Sequence, residues 1–272
     1  MDFHRFRAWF KPIHTRGATE LAGAAGRAKE SAIESKRKPR VSRPRPATLR
    51  RVYQLLVRNF GHRHWWPAET PFEVCVGAIL TQNTNWSNVR RAIANLKAAR
   101  LLSEPRRLFA LPESELAELI KPAGYFNVKA RRLRAFLRVL VEEFDGKLQR
   151  LFAGETRVVR ERLLAIHGIG PETADSMLLY AGGHLSFVID AYTKRIFRRH
   201  RWCAEKATYS DLQQMLSRSL RDRSARQRIP YWQDYHAQLV ALGNNFCRSR
   251  RPRCEVCPLK PLLPKNGLPG HQ

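Results

Sequence analysis

The sequence predicts an all-α fold, and three observations indicate it. Apolar residues recur at the three- and four-residue spacing of an amphipathic helix, as in Leu49, Val52, Leu55 and Leu56. Prolines and glycines stand where such segments would begin and end, which is typical of helices joined by short turns. Convincing alternation of apolar and polar residues is absent from the sequence, so no β-sheet is expected.

The first predicted helix follows a Thr48 cap and ends near Gly61. Pro71 opens the second, PFEVCVGAILTQ, which is apolar almost all round and is therefore expected to be central. The later predicted helices are Ser87–Ala99, Glu113–Ile120, Asn127–Phe144, Arg157–Ile166, Pro171–Tyr180, Asp190–His200, Tyr209–Ser219 and Trp232–Leu242.

The chain carries 50 Lys and Arg against 23 Asp and Glu, a formal net charge of +27. Such an excess favours a polyanionic partner, because neutralising each phosphate releases a condensed counterion. The basic residues are scattered rather than concentrated on one amphipathic helix, which favours nucleic acid over a membrane surface. The longest apolar run, Val74–Leu80, is far shorter than the roughly 18–20 residues that cross a bilayer, so no membrane span is expected.

Residues 1–46 differ in composition from the rest. The stretch Ser35–Pro46, SKRKPRVSRPRP, combines basic residues with prolines and almost no apolar side chains. It is predicted to be a flexible basic arm that adds non-specific DNA affinity, with a misassigned start codon or an Arg-rich organelle-targeting peptide as alternatives. The first residues, MDFHRFRAWF, lack an apolar secretory segment, so a bacterial protein would be expected in the cytoplasm.

The segment LLAIHGIGPETADSMLLYAG predicts a hairpin of two helices. One helix is expected to end at Ile166 and the next to begin at Pro171, with Gly168 and Gly170 in the turn. The apolar Ile169 is expected to pin that turn between the helices. Glycines let a backbone approach a ligand closely, and amides at a helix N-terminus bind phosphate. On these residues alone, an ordinary helix–turn–helix corner is the alternative.

This hairpin, followed by Val188-Ile189-Asp190, resembles the helix-hairpin-helix DNA glycosylase superfamily in its endonuclease III branch. Leu80-Thr81-Gln82, the segment GYFNVKA at 124–130 and a C-terminal cysteine group match the same family in the same order. The resemblance implies two helical domains that grip DNA between them. One is a six-helix barrel over residues 71–184; the other is discontinuous, residues 47–70 with 185–272, and ends in a cysteine-rich loop.

Two carboxylates are the candidate catalytic residues. Asp190 begins a predicted helix, where Asp is a favoured N-cap, and the resemblance implies that it is also the catalytic aspartate, which stabilises positive charge on the sugar or orients water. Glu172 stands two residues after Gly170, where bifunctional family members carry the lysine that forms a Schiff base. Because a carboxylate cannot form an imine, a monofunctional glycosylase is predicted. Complementing the helix dipole is the structural alternative for Glu172.

Three tryptophans flank the second predicted helix. Trp65, Trp66 and Trp86 stand in a pattern that resembles the 3-methyladenine glycosylases of this branch. The resemblance implies that Trp65 and Trp86 sandwich the damaged base, whose positive charge a tryptophan face attracts when the base is alkylated. Trp66 either joins this pocket or plugs the junction between the domains, and plugging is also the alternative for Trp65.

Gln82 and the basic segment that begins at Lys129 each have two possible interpretations. Gln82 is a polar residue that ends a buried helix, and the resemblance implies that it is the wedge that fills the space left by an extruded base. Lys129 opens a basic segment that continues with Arg131, Arg132 and Arg134. That segment is expected to form a solvated charged face, with phosphate contact as the alternative.

The cysteine group is one ligand short. Cys247, Cys254 and Cys257 reproduce the first three ligands of the family's [4Fe–4S] loop, and Leu263 stands where the fourth cysteine is expected. A cluster with another or an external fourth ligand, or a three-iron species, is preferred over zinc, for example with His271, and over no metal. Cys203 could supply a thiolate, although nothing in the sequence brings it near. The resemblance implies DNA contact for the loop arginines Arg248, Arg250, Arg251 and Arg253.

The sequence therefore predicts a DNA base-excision glycosylase that hydrolyses the N-glycosidic bond of a damaged base, with an alkylated purine as the expected lesion. Its expected partner is double-stranded DNA containing that base, and a monomer is expected because the family's members embrace DNA singly. An endonuclease III-like enzyme for oxidised or mismatched pyrimidines is one alternative. A non-catalytic DNA-binding protein on the same fold is the other.

Overall fold

A computed structural model describes residues 41–264. Within this range the chain forms α-helices and short 3-10 turns and no strand, so the predicted all-α class is confirmed. Most of the predicted basic arm and His271 lie outside the described residues. The helices are α1 Pro46–Phe60, α2 Pro71–Leu80, α3 Trp86–Ala98, α4 Pro105–Ala110, α5 Glu113–Leu119, α6 Phe126–Glu142, α7 Leu148–Leu151, α8 Thr156–Leu164, α9 Pro171–Tyr180, α10 Ala191–Arg199, α11 Tyr209–Ser219 and α12 Ala225–Asn245.

Some helix starts differ from the prediction. The Thr48 cap is wrong, because α1 begins at Pro46 and Arg45 occupies the N-cap position without a side-chain hydrogen bond. Helix α12 begins well before the predicted Trp232, since the Ser224 side chain caps it and Pro230 is accommodated inside it. The short helices α4 and α7 were not predicted, because segments of this length carry too little periodicity to detect. No described helix is both long and apolar enough to cross a membrane.

The buried apolar side chains form two clusters. The first extends from Phe72 to Leu178 and is built around α2, whose residues from Phe72 to Leu80 are all buried. The second combines side chains of α1 with those of α10, α11 and α12. Helix α9 contributes to both clusters, because Leu178 packs in the first and Leu179 in the second. Residues 41–264 belong to one compact unit, and domain boundaries at residues 71 and 184 stay a prediction.

A buried carboxylate fixes α9 in place. Asp175 is fully buried, and Arg160 of α8 reaches both of its oxygens, with nitrogen–oxygen distances of 2.7 and 3.0 Å. The Tyr209 hydroxyl and the Gln213 amide of α11 donate to the same carboxylate, at 2.6 and 2.7 Å. Because a buried charge is tolerated only when it is paired and hydrogen-bonded, this network ties α8 and α11 to the helix that begins at the hairpin.

Candidate active site

The turn between α8 and α9 requires its first glycine. Gly168 has φ +84°, a left-handed conformation, and a Cβ there would overlap the Arg132 side chain, coming within 2.7 Å of its Cδ. Ile169 is buried at 4% exposure and packs into the first cluster, as the sequence indicates. A Cβ at Gly170 would meet nothing within 4 Å, so this side of the turn is open.

The open side of the hairpin can receive an anion. Helix α9 begins at Pro171 without a side-chain cap. Within residues 41–264, the amides of Gly168 and Gly170 donate no hydrogen bond to the protein. Free amides at a helix N-terminus, together with the helix dipole, form a site that suits a phosphate.

Gln82 fastens the end of α2 to this hairpin. Its Nε2 donates to the Gly168 carbonyl and to Thr173 Oγ1, both at 2.9 Å, and its Oε1 accepts from Arg132. The side chain is half-buried and lies against the turn that would meet DNA. Its role as a wedge stays a prediction and requires these three hydrogen bonds to open when a base is extruded.

Asp190 is a rigid, buried carboxylate at the N-terminus of α10. The residue is 7% exposed, and its Oδ1 accepts from the Thr193 amide at 2.7 Å, so it is the helix N-cap that the sequence indicates. Its Oδ2 lies 3.6 Å from His236 Nε2. Burial raises the pKa of Asp190, but His236 and the Thr193 amide outweigh burial and hold that pKa below its ordinary value. The side chain is therefore held as a carboxylate.

Glu172 is the second carboxylate of the site and has the opposite shift. Its side chain is exposed by accessible area, yet the protein around its carboxyl group desolvates it. This desolvation and the nearby Asp190 carboxylate raise the pKa of Glu172 to about 7, against smaller opposing effects of His236 and Lys194. Two neighbouring carboxyl groups with separated pKa values can divide the acid and base roles of a hydrolysis.

An aromatic cluster leads from the surface to these carboxylates. The Trp86 ring lies 4.8 Å from that of Trp65 and 5.4 Å from that of Trp66, both edge-to-face. The ring centroids of Trp66 and Tyr180 lie 5.4 Å apart, and those of Tyr180 and His236 lie 5.8 Å apart. Sequence reasoning missed Tyr180 and His236, because neither stands in a motif and only the fold brings them together.

The three tryptophans lie together, but the predicted slot between two of them is closed in this arrangement. A base sandwiched between Trp65 and Trp86 needs about 7 Å between parallel rings, twice the contact distance of carbon atoms. The two rings instead lie 4.8 Å apart at 63°. Trp66 packs on α2, where a Cβ at Gly77 would come within 3.2 Å of its Nε1. This packing favours the plug over the pocket for Trp66, and the sandwich stays a prediction.

The expectation of a solvated basic face on α6 is wrong for Lys129. The residue is 1% exposed, and its Nζ donates to the carbonyls of Leu80 and Ala123 at 2.9 and 2.8 Å. Burial, with a smaller contribution from Arg132, lowers the pKa of Lys129 to about 8. The physical reason is that the last carbonyl of α2 has no helical partner and the ammonium group satisfies it.

Lys129 thereby fixes the edge where α2 meets α6. Tyr125, in the matched segment 124–130, precedes α6 with φ +47° and is 71% exposed. An exposed aromatic ring can stack on a base. Of the basic residues that follow, Arg132 and Arg134 bind protein groups, whereas Arg131 is exposed.

The three cysteines line one recess. Cys247, Cys254 and Cys257 surround it together with Arg199, His200, Leu242, Phe246 and Leu263. Burial raises the pKa of Cys257 to about 11, with a smaller contribution from the other two thiols. Leu263 does stand at the recess, and a leucine supplies no ligand atom. Cys203 is not among the lining residues; it packs in the second apolar cluster.

The three thiols share this recess, but their arrangement is not that of a metal site. Within the described part of the chain, no three His, Cys, Asp or Glu residues are arranged to hold a metal ion. Thiolates are the ligands of iron–sulfur clusters, which are larger than one ion. The side chain of Arg199 donates to Cys247 Sγ at 3.3 Å and to the Ser249 carbonyl at 2.8 Å, and so shapes the loop. The four loop arginines are all exposed: Arg248, Arg250, Arg251 and Arg253.

Residues 76–222, more than half of the chain, match the HhH-GPD superfamily of base excision DNA repair proteins. The chain belongs to this superfamily. It is a DNA base-excision repair glycosylase, and the predicted resemblance is confirmed. A Methanocaldococcus jannaschii protein named as a DNA repair glycosylase is 43% identical over 212 residues, which cover 77% of this chain and 93% of that protein.

Solved structures agree with this assignment. A trapped endonuclease III–DNA covalent intermediate superposes with a TM-score of 0.66 at 20% identity, covering 80% of this chain and 94% of that one, which shows the shared fold. The H. pylori 3-methyladenine DNA glycosylase MagIII, bound to 1,N6-ethenoadenine, gives a TM-score of 0.62 at 26% identity. That match covers 72% of this glycosylase and 96% of MagIII.

The two glycines of the hairpin predict different effects of an added methyl group. Gly168→Ala is expected to lower both the unfolding temperature and the affinity for duplex DNA, because it strains the turn by roughly 1–3 kcal/mol and displaces Arg132. Gly170→Ala, at an ordinary φ in open space, is expected to keep the unfolding temperature and lower only the affinity. Thermal unfolding and fluorescence anisotropy with duplex DNA measure both. Unchanged affinity of folded Gly170→Ala would show that this turn does not contact DNA.

Proposed function

We propose that this glycosylase is monofunctional and removes an alkylated purine from double-stranded DNA, acting as a monomer. The observation that supports this proposal is the pair of carboxylates with opposite pKa shifts at the end of the aromatic cluster. No amine stands at position 172, where the family's bifunctional members use a lysine. The reaction is therefore a hydrolysis that leaves an abasic site.

Each carboxylate has a distinct role in this reaction. Breaking an N-glycosidic bond builds positive charge on the sugar, and the ionised Asp190, fixed by Thr193 and His236, stabilises that charge. Glu172 occupies the position from which a lysine would attack the sugar. The Glu172 carboxylate, whose pKa is about 7, can instead accept a proton from the attacking water.

The tryptophans support an alkylated purine as the substrate class. Trp65 and Trp86 are half-buried and lie beside the path to the carboxylates, and an indole face attracts a cationic base. The closed edge-to-face pair would have to part as the base enters. Binding energy from the phosphates at the hairpin and at the exposed loop arginines can drive such an opening.

Asp190→Asn tests the enzymatic proposal. Asparagine still accepts the Thr193 hydrogen bond and caps α10, so the fold is expected to remain while the rate of base release falls roughly 10²–10³-fold. Single-turnover excision is measured on duplexes with a methylated purine, an oxidised pyrimidine or a mismatch. Release of only the pyrimidine lesions would contradict the proposed substrate and support the endonuclease III-like alternative. Release from none of the substrates by the wild type would support the DNA-binding alternative.

Glu172 predicts a pH dependence. A general base acts when deprotonated, so the single-turnover rate is expected to rise with pH, about tenfold per unit below 7, and to level off above the Glu172 pKa of about 7. Glu172→Gln is expected to be slower and to show no rise around pH 7. The rate is measured from pH 5.5 to 8.5, a range chosen as about 1.5 units either side of that pKa. A variant that keeps the wild-type rise would exclude Glu172 as the base.

We also propose that Cys247, Cys254 and Cys257 hold an iron–sulfur cluster, whose bonds would fix the arginine loop for contact with DNA. The shared recess supports this assignment. Anaerobically purified protein is expected to contain iron and acid-labile sulfide, which Cys254→Ser loses and Cys203→Ser retains, because Cys203 does not line the recess. Wild-type protein that contains zinc, or neither metal nor sulfide, would contradict the proposal.

A further inference from the structure

His236 carries an unexplained polar atom beside the catalytic carboxylate. The residue lies on α12 and is 5% exposed, and its Nε2 is fully buried with no hydrogen-bond partner in the described part of the chain. Asp190 Oδ2 lies 3.6 Å from that nitrogen, which is an ion-pair distance rather than that of a good hydrogen bond. A buried polar atom without a partner is costly and calls for a reason.

The other ring nitrogen is held by Tyr180. His236 Nδ1 lies 2.7 Å from the Tyr180 hydroxyl, and that hydroxyl lies 2.9 Å from the Gln233 carbonyl oxygen. A phenol has one hydrogen and a carbonyl can only accept. The Tyr180 hydrogen can therefore go to Nδ1 or to the Gln233 carbonyl, and in the second case Nδ1 donates its own hydrogen to the phenolic oxygen.

This arrangement leaves two states for Nε2. Without a proton, its lone pair would face the ionised oxygen of Asp190 and repel it. With a proton, Nε2 is a donor that faces the carboxylate, and Nδ1 then either accepts from Tyr180 or donates to it. Only the second state gives each buried group a favourable neighbour.

We propose that His236 is a positioning residue that, with its ring held by Tyr180 and a proton on Nε2, keeps Asp190 ionised and aimed at the sugar. The inference rests on the proposed role of Asp190. The charged and titratable groups near His236 are Asp190 of α10, Glu172 and Tyr180 of α9, and Asp234 of its own helix. From α1, Tyr53 bonds to Asp234 and not to His236.

The test compares His236→Gln with His184→Gln. Both exchange a buried or half-buried imidazole for an amide, but His184 bonds to Thr156 and Phe152, away from Asp190. His236→Gln is expected to release base about tenfold more slowly or worse, with unchanged affinity for the damaged duplex. It is also expected to move the acid limb, which Glu172 sets, to higher pH and to steepen it, because the His236 ring that lowers the pKa values of Asp190 and Glu172 is lost. His184→Gln is expected to keep the wild-type acid limb.

The outcomes separate this inference from the proposed function. If Asp190→Asn is inactive while His236→Gln keeps the wild-type rate and acid limb, the inference is wrong and the role of Asp190 stands. If Asp190→Asn retains full activity, the proposed role of Asp190 fails first. Should His236→Gln unfold, Tyr180→Phe replaces it: a smaller shift of the acid limb in the same direction supports the inference, and an unmoved limb overturns it.

Discussion

The structure depends on burying one carboxylate, that of Asp190, while keeping it ionised. Asp190 sits at the first turn of α10, where the Thr193 amide and the helix dipole favour negative charge, and it faces His236 from α12. Burial alone would raise the pKa of Asp190. The Thr193 amide and the His236 imidazole together lower the pKa of Asp190 more than burial raises it, so the carboxylate remains charged. In a buried site of low dielectric, that charge interacts strongly with its surroundings.

The rest of the site is built around that carboxylate by contacts between distant parts of the chain. Gln82 ties α2 to the hairpin, Lys129 ties α6 to α2, and Asp175 ties α9 to α8 and α11. Each contact uses a buried or half-buried polar group that would be costly if left unpaired. The hairpin, which can grip a phosphate, and the carboxylates, which can act on the sugar, are thereby held on one rigid helix, α9, and its neighbour α10.

Local chemistry in the sequence predicts much of this arrangement. The hairpin turn, the Asp190 cap and the burial of Ile169 follow from residues within a few positions of each other. What the sequence did not predict depends on long separations: Tyr180 meets His236 across 56 positions, and Lys129 meets Leu80 across 49. A lysine in a basic segment carries no local signal that its ammonium group will be buried against two carbonyls. The sequence therefore predicts an exposed side chain for Lys129, whereas the fold buries it. The closed tryptophan pair likewise depends on how the loop before α2 folds back.

The central claim is that a carboxylate pair, and no amine, carries out the excision. The direct measurement is the state of the DNA strand after a single turnover on a duplex with a labelled methylated purine, resolved on a denaturing gel with and without hot alkali. The account predicts an intact strand that breaks only after alkali, because hydrolysis leaves an abasic site. A strand already cut before alkali, at a rate equal to that of base release, would contradict it.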